Sequence, residues 1–292
     1  MTSNNTNLRT VYVNGRYCPE NEAMISIFDR GFIFADGIYE VASVIGGKLI
    51  DNGAHLARLE RSLGEISLLC PWSREDVIAI EQALIEKNDL DEGLVYMQVT
   101  RGAADRDFPF PKNTKPTLVM FTKALNITRS PQAKTGIKII TVPDLRWKRR
   151  DIKSVALLAQ VLAKQAAAEA GAQEAWMIED GFITEGGSST SWILGQDGRL
   201  VTRPLSNAVL PGITRQSVMK LMEDTDLKLD ERAFTLDEAL GAKEAFITSA
   251  SAFVMPVVEI DGQKIGDGKP GPIATKLREI YIEIARKGGR LG

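Results

Sequence analysis

A chain of 292 residues is long for one compact unit and comfortable for two domains. Its 36 basic and 38 acidic residues leave a formal charge of −2, which gives no electrostatic footprint for nucleic acid. No apolar run approaches the roughly 18 residues of a membrane helix, and two cysteines (Cys18, Cys70) with one histidine (His55) argue against a disulfide framework, structural zinc or a histidine-rich metal centre.

The chain opens on MTSNNTNLRT, a polar lead-in without the apolar core of a signal peptide, so the cytoplasm is the expected compartment. TVYVNG and ISIF read as strands, and YEVASVIGGKLI as two strand halves around a Gly46-Gly47 turn. Helical spacing over 54–70 places His55 on an amphipathic helix, where a structural role outweighs a catalytic one. Any proton carrier would then be a lysine, a tyrosine or a carboxylate. Ser73 caps a second helix, REDVIAIEQALIEKN, and GLVYMQVTRG and TLVMFTKA read as strands. Periodicity is lost over 123–135, KALNITRSPQAKT, the expected linker. Beyond it GIKIITV is a strand, SVALLAQVLAKQAAAEA a helix stopped at Gly171, and Asp-Gly pairs at 180–181, 197–198 and 261–262 mark hairpins. GITRQSVMKLMED and PIATKLREIYIEIARK are the last helices. The pattern predicts two α/β or α+β domains: residues 1–125, a linker at 126–134, and residues 135–292.

Nucleotide-loop signatures are absent, and Pro270 after Lys269 spoils GDGKPGP as a phosphate loop. Three other segments can carry chemistry. PGITR puts Ile213 and Thr214 in the first turn of a helix, whose N–H groups either greet an anion or simply start a helix. EGGSST at 185–190 is a small polar loop between strands, open to a ligand's approach or a plain tight turn. Lys153, in RRDIKS, is either a desolvated nucleophile or a solvated surface charge, and composition does not choose between them.

Taken in order, FDRGFIFADGIYEV, HLARL, QVTRG, RWKRRDIKS, EAWMIEDGFITEG, LPGITR and FITSAS with PVVEIDG resemble the class IV aminotransferases. These are the fold type IV pyridoxal-phosphate enzymes, and the likeness is greatest to D-amino-acid transaminases, over roughly residues 10–285. The resemblance implies a small N-terminal α/β domain, a larger β-barrel-like C-terminal domain and a cofactor cleft between them. It makes Lys153 the Schiff-base lysine and proton shuttle. Arg58 becomes the cofactor-phosphate arginine, helped by the N–H groups of Ile213 and Thr214, with Ser188 and Ala250 in the same cofactor-binding set. Glu185 is then the carboxylate facing the pyridine nitrogen and Leu210 the apolar residue against the ring. Tyr39, Arg106 and Phe108 fall at the substrate carboxylate, with Arg106 reaching across from the partner of a homodimer. The implied substrates are a D-amino acid and a 2-oxo acid, and no metal is called for.

The match departs from the family where a histidine two residues after the substrate arginine is replaced by Phe108. Gly187, Thr190 and Ala250 also replace the usual serine, asparagine and threonine. The cofactor residues are intact and the substrate pocket is not standard. Branched-chain L-aminotransferase, (R)-amine transaminase and aminodeoxychorismate lyase are the rivals within the family, and a non-catalytic binding protein is the rival outside it.

Overall fold

The apolar alternation of the first 125 residues is resolved into one antiparallel sheet. The structure is a computed structural model that describes residues 8–223 and 225–287; most of the polar lead-in, residues 1–7, lies outside the described residues. β1 (Thr10–Val13) and β2 (Arg16–Pro19) form a hairpin over Asn14–Gly15, both at positive φ. A short helix α1 (Arg30–Phe34) is opened by Asp29, whose carboxylate accepts from the Gly31 N–H. β3 (Gly37–Ile45) and β4 (Lys48–Ile50) turn at Gly46–Gly47. α2 (Asn52–Glu65) and α3 (Arg74–Lys87) follow, and Ser73 with Asp76 closes a capping box on α3. β5 (Glu92–Thr100) and β6 (Thr117–Ala124) complete the sheet, in the order β2-β1-β6-β5-β3-β4. α2 lies on β3, burying Leu56, Leu59 and Leu63, while α3 adds Ile85 to a cluster with Val44, Leu90 and Val95. Each such side chain removed from water is worth about 1.5–3 kcal/mol, which outweighs the weak helical signal of α3 taken alone.

ISIF is not a strand. Ile25, Ile27 and Phe28 are exposed, and the segment turns instead, with Ser26 accepting the N–H groups of Phe28 and Asp29. A run of four residues specifies a strand only if a sheet edge is there to pair with it.

The second unit takes in Asn126–Ile152 and the chain from Leu157 onward. Within the segment read as a linker, Pro131 presets the first turn of α4 (Pro131–Thr135). β7 (Ile137–Pro143) precedes α5 (Leu158–Glu169), β8 (Glu174–Glu179), β9 (Phe182–Gly186), β10 (Thr190–Leu194) and β11 (Arg199–Thr202). Then come α6 (Ile213–Glu223), β12 (Lys228–Glu231), α7 (Leu236–Leu240), β13 (Glu244–Ser249), β14 (Phe253–Ile260), β15 (Gln263–Lys264) and α8 (Pro272–Arg286). The nine strands form one mixed sheet, β12-β11-β10-β13-β14-β7-β8-β9, with β15 on β14. All three Asp-Gly pairs are hairpin turns. One face buries Trp176, Ile183, Ile193, Phe234 and Ile247; the other packs Trp192, Phe246 and Val254 under α6 and α8.

The alanine-rich helix starts at Leu158, four residues later than its spacing predicts. Lys153–Val155 are extended because their backbone pairs with β3: the Tyr39 N–H donates to the Lys153 carbonyl and the Val155 N–H to the Gly37 carbonyl, both at 3.0 Å. Through this pairing Lys153–Ala156 belong to the first unit, although they follow it in sequence by some way.

Candidate active site

In the first unit the extended segment at Lys153 sets its side chain on Tyr39. Its Nζ lies 4.1 Å from the centre of the Tyr39 ring. Tyr39 is itself held by a row of rings across the sheet, stacking at 5.7 Å on Tyr96, which stacks at 4.6 Å on Phe121. Burial, with Tyr39 adding to it, pushes the Tyr96 hydroxyl well above the usual tyrosine range, so it stays protonated and donates to Gln98. The Lys153 N–H also reaches Ser62 Oγ on α2 at 3.4 Å. One turn before Ser62 on the same helix stands Arg58.

Arg58 does not stand alone. Its Nε and Nη2 donate to Glu40 Oε1 and Oε2 at 2.7 and 2.8 Å, and His55 Nδ1 meets Oε2 at 2.9 Å. Glu40 follows Tyr39 on β3, so the strand's two-residue period sends the two side chains to opposite faces. Burial works against the Glu40 carboxylate, but the Arg58 guanidinium and the hydrogen bonds from Arg58 and His55 hold it well below the usual carboxylate range. The histidine is thus a structural partner of a buried ion pair. A glutamate in an otherwise apolar strand was the available signal for Glu40.

Arg106 and Phe108 lie in the exposed segment after β5. The Arg106 guanidinium sits 5.4 Å from the Phe34 ring and 5.6 Å from the Phe108 ring, and those two rings are 5.4 Å apart. Their contacts run to Phe34 rather than to Tyr39. The segment is braced from behind by buried Arg30, which donates to the Asp107 and Phe108 carbonyls and pairs with Asp36, as does Arg101.

In the second unit Glu185, the next-to-last residue of β9, is almost fully buried. Its Oε1 accepts from Arg146 Nη1 at 2.5 Å and from the Leu210 N–H at 3.1 Å; among the described residues Oε2 has only the longer Leu210 contact at 3.2 Å. Burial pushes the Glu185 carboxyl upward, and Arg146 offsets part of that. Arg146 also pairs with Asp144, and Asp144 with Arg150, whose fork takes both oxygens of Glu179 at 2.7 Å. Nothing in RWKRRDIKS marks Arg146 out from its basic neighbours; only packing selects it.

The small-residue loop after Glu185 is tied down by Glu174, a buried acid that accepts from Ser188 and Ser189 Oγ at 3.2 and 3.1 Å. The start of α6 lies against β10 so closely that a Cβ on Gly212 would come 2.7 Å from Thr190 Oγ1. α6 begins at Ile213, with Thr214 next, both buried. Ala250 is the first corner residue of the turn between β13 and β14. The second unit therefore joins Glu185 directly to Leu210, and Gly212 ahead of Ile213 and Thr214 to Thr190. Among the described residues no group of three or more His, Cys, Asp or Glu could hold a metal ion, and no helix is long and apolar enough to cross a membrane.

Residues 37–260 match the family model described as amino-transferase class IV. The D-alanine aminotransferase of Staphylococcus aureus (strain MSSA476) is 39% identical over 280 residues, spanning 94% of this chain and 99% of that protein. The D-alanine aminotransferase of Bacillus licheniformis is 40% identical over 268 residues, spanning 92% and 94%. Among solved structures, the Escherichia coli branched-chain amino acid aminotransferase superposes with a TM-score of 0.87 at 19% identity, over 95% of this chain and 94% of that one. A branched-chain amino acid aminotransferase from Thermoproteus uzoniensis, with norvaline, gives 0.84 at 24% identity, over 95% and 94%. At such identities the two structures speak for the fold.

Proposed function

We propose that this chain, which belongs to the class IV aminotransferases, moves an amino group from a D-amino acid to a 2-oxo acid in two half-reactions. Its cofactor is pyridoxal 5′-phosphate, which when bound supplies an electron sink for the substrate Cα. The observation that carries the reading is Lys153: half-buried, without a carboxylate partner among the described residues, and set 4.1 Å from the Tyr39 ring. A lysine placed so is held against a ring face of the sheet rather than tied to a surface acid, as a Schiff-base lysine requires.

The residues present fit this cofactor. Glu185 is a buried acid whose Oε2 accepts a single 3.2 Å bond among the described residues, so it keeps acceptor capacity that suits a ring N–H. The first N–H groups of α6, at Ile213 and Thr214, suit a phosphate, and Arg58 is a guanidinium already oriented by Glu40. Ser188, Ala250 and Leu210 complete the cofactor set in this reading. Lys153 would hold the cofactor through Nζ. As the free amine it takes the proton from the substrate Cα and carries it, while Tyr39 orients it through the ring contact. Arg106 takes the substrate carboxylate.

The D hand rests on the 39–40% identity to D-alanine aminotransferases over nearly the whole chain. A second reading, amines without a carboxylate, is favoured by one observation: apolar Phe34 and Phe108 flank Arg106, so the polar companion expected of an acid-binding arginine is missing. A homodimer with Arg106 serving the partner belongs to this reading, and the exposed Met24, Ile27, Phe28, Phe32 and Phe108 are apolar side chains that a partner could cover. The cytoplasm is the compartment that free, unpaired Cys18 and Cys70 suit.

The test is a half-reaction screen on the holoenzyme with D-alanine, D-glutamate, L-leucine, L-valine and an (R)-amine, following loss of the cofactor's visible absorbance. D-amino acids should react fastest. If L-leucine or L-valine outpaced every D-amino acid, the branched-chain reading would replace this one.

A further inference from the structure

The turn joining β13 to β14 carries a backbone conformation that its own sequence disfavours. Ser249 accepts the Ala252 N–H, closing a turn over Ala250 and Ser251, and the next residue, Phe253, adopts φ +55°. After such a turn the left-handed position usually belongs to glycine, because a Cβ there crowds the following carbonyl. A bulky phenylalanine stays left-handed only where its surroundings over-determine it. Here they do. Phe253 is fully buried and its ring lies 4.7 Å from that of Tyr281. One turn earlier on the same face of α8, buried Arg278 donates through Nη1 to the carbonyls of Ala252 (2.5 Å) and Val254 (2.9 Å), the residues on either side of Phe253. Its Nη2 donates to the Ile127 carbonyl. One guanidinium therefore fixes the peptide group that enters the strained residue and the second peptide group beyond it, and anchors both to a third backbone segment.

We infer that Arg278 is a positioning residue for phosphate binding: it acts from behind the Ser249–Phe253 turn, holding it so that the Ala250 N–H is presented to the cofactor's phosphate. The inference rests on the reading above that puts Ala250 in the cofactor set, and takes the phosphate as the group it meets. It also accounts for Ala250. With no hydroxyl at that position, backbone N–H groups are what the turn has to offer there, and an N–H is only as good a ligand as its peptide plane is fixed. Arg278 touches no ligand in this account. Its carbonyl bonds set the geometry that a flexible turn would lose, and the penalty falls on the phosphate alone.

The experiment compares pyridoxal 5′-phosphate with pyridoxal, which lacks the phosphate, as titrants of the resolved full-length enzyme. Arg278→Met removes the donors at similar length, and Arg278→Lys restores charge and part of the bonding. Arg278→Met should weaken pyridoxal 5′-phosphate at least about tenfold while pyridoxal binding stays within about twofold; Arg278→Lys should fall between, and the ³¹P resonance of the bound phosphate should shift in step. Equal losses for both titrants, or no loss in a folded Arg278→Met protein, would overturn the inference. If Arg278→Met does not fold, Arg278→Lys decides by the same ratio. Ala250→Pro separates the two readings, since proline suits the first corner of this turn but removes the N–H. If Ala250→Pro leaves the ratio unchanged, the turn does not read the phosphate; if it lowers the ratio and the Arg278 variants do not, only the role of Arg278 fails.

Discussion

Glu81→Gln should make the protein more stable above neutral pH and flatten its pH dependence. Glu81 sits on α3 with no exposed surface, and the only hydrogen bond of its carboxyl group among the described residues is from Asn52 Nδ2 to Oε2 at 2.6 Å. Glu81 Oε1 and Asn52 Oδ1 are both buried acceptors without a donor. A proton on Oε1 would supply the missing donor. Burial raises the Glu81 carboxyl from the ordinary 4.5 to about 7, with the Glu40 charge adding to the rise and the Asn52 bond opposing it. The folded state therefore holds a proton that the unfolded chain has already released between pH 4.5 and 7. Stability tied to this group is full below pH 4.5 and is lost as pH rises through 7. At about 1.36 kcal/mol per tenfold, the displacement sets an upper limit of about 3 kcal/mol. Glutamine keeps the size, cannot ionise, and its amide can donate where the carboxylate cannot. Urea unfolding of both proteins at about pH 5, 6, 7 and 8 reads the difference. The variant should be close to the wild type at about pH 5 and gain up to about 3 kcal/mol by about pH 8. A difference that does not change with pH over this range would mean Glu81 is ionised throughout, and the reasoning from burial would fail.

Lys153→Ala should abolish transamination while the fold survives, because the β3 pairing uses only the backbone of residue 153; borohydride fixing pyridoxal phosphate to the variant would contradict the assignment. Glu185→Gln should keep the cofactor but slow the half-reaction on the order of a hundredfold, the usual cost of losing one preorganised electrostatic contact, and near wild-type single-turnover rates would place the charge partner elsewhere. Phe108→His should tighten D-amino acids by up to about tenfold, worth about 1.4 kcal/mol, whereas Arg106→Ala should raise KM for acids and spare amines; equal effects on both donor classes would remove Arg106 from the carboxylate.

The sequence by itself determined most of the elements. Asp-Gly turns, the Ser73 cap and the alternation of β3, β5 and β6 are local, so each predicted its own structure without reference to the rest. The ordered motifs likewise named Lys153, Glu185 and Arg58 as the residues for the substitutions above to test. What tertiary structure alone decided are the partners. Spacing made Lys153–Val155 the first turn of a helix, but bonds to Gly37 and Tyr39 on a distant strand outweigh a marginal helix start, and those bonds bring Lys153 to Tyr39. ISIF had the pattern of a strand and found no edge to pair with. Arg146, Glu174 and Arg278 carry no mark in the sequence, and each charge is tolerated in the interior with the help of partners 15 or more positions away. Complementarity of that kind is a property of the folded surface, and no window of sequence contains both halves of it.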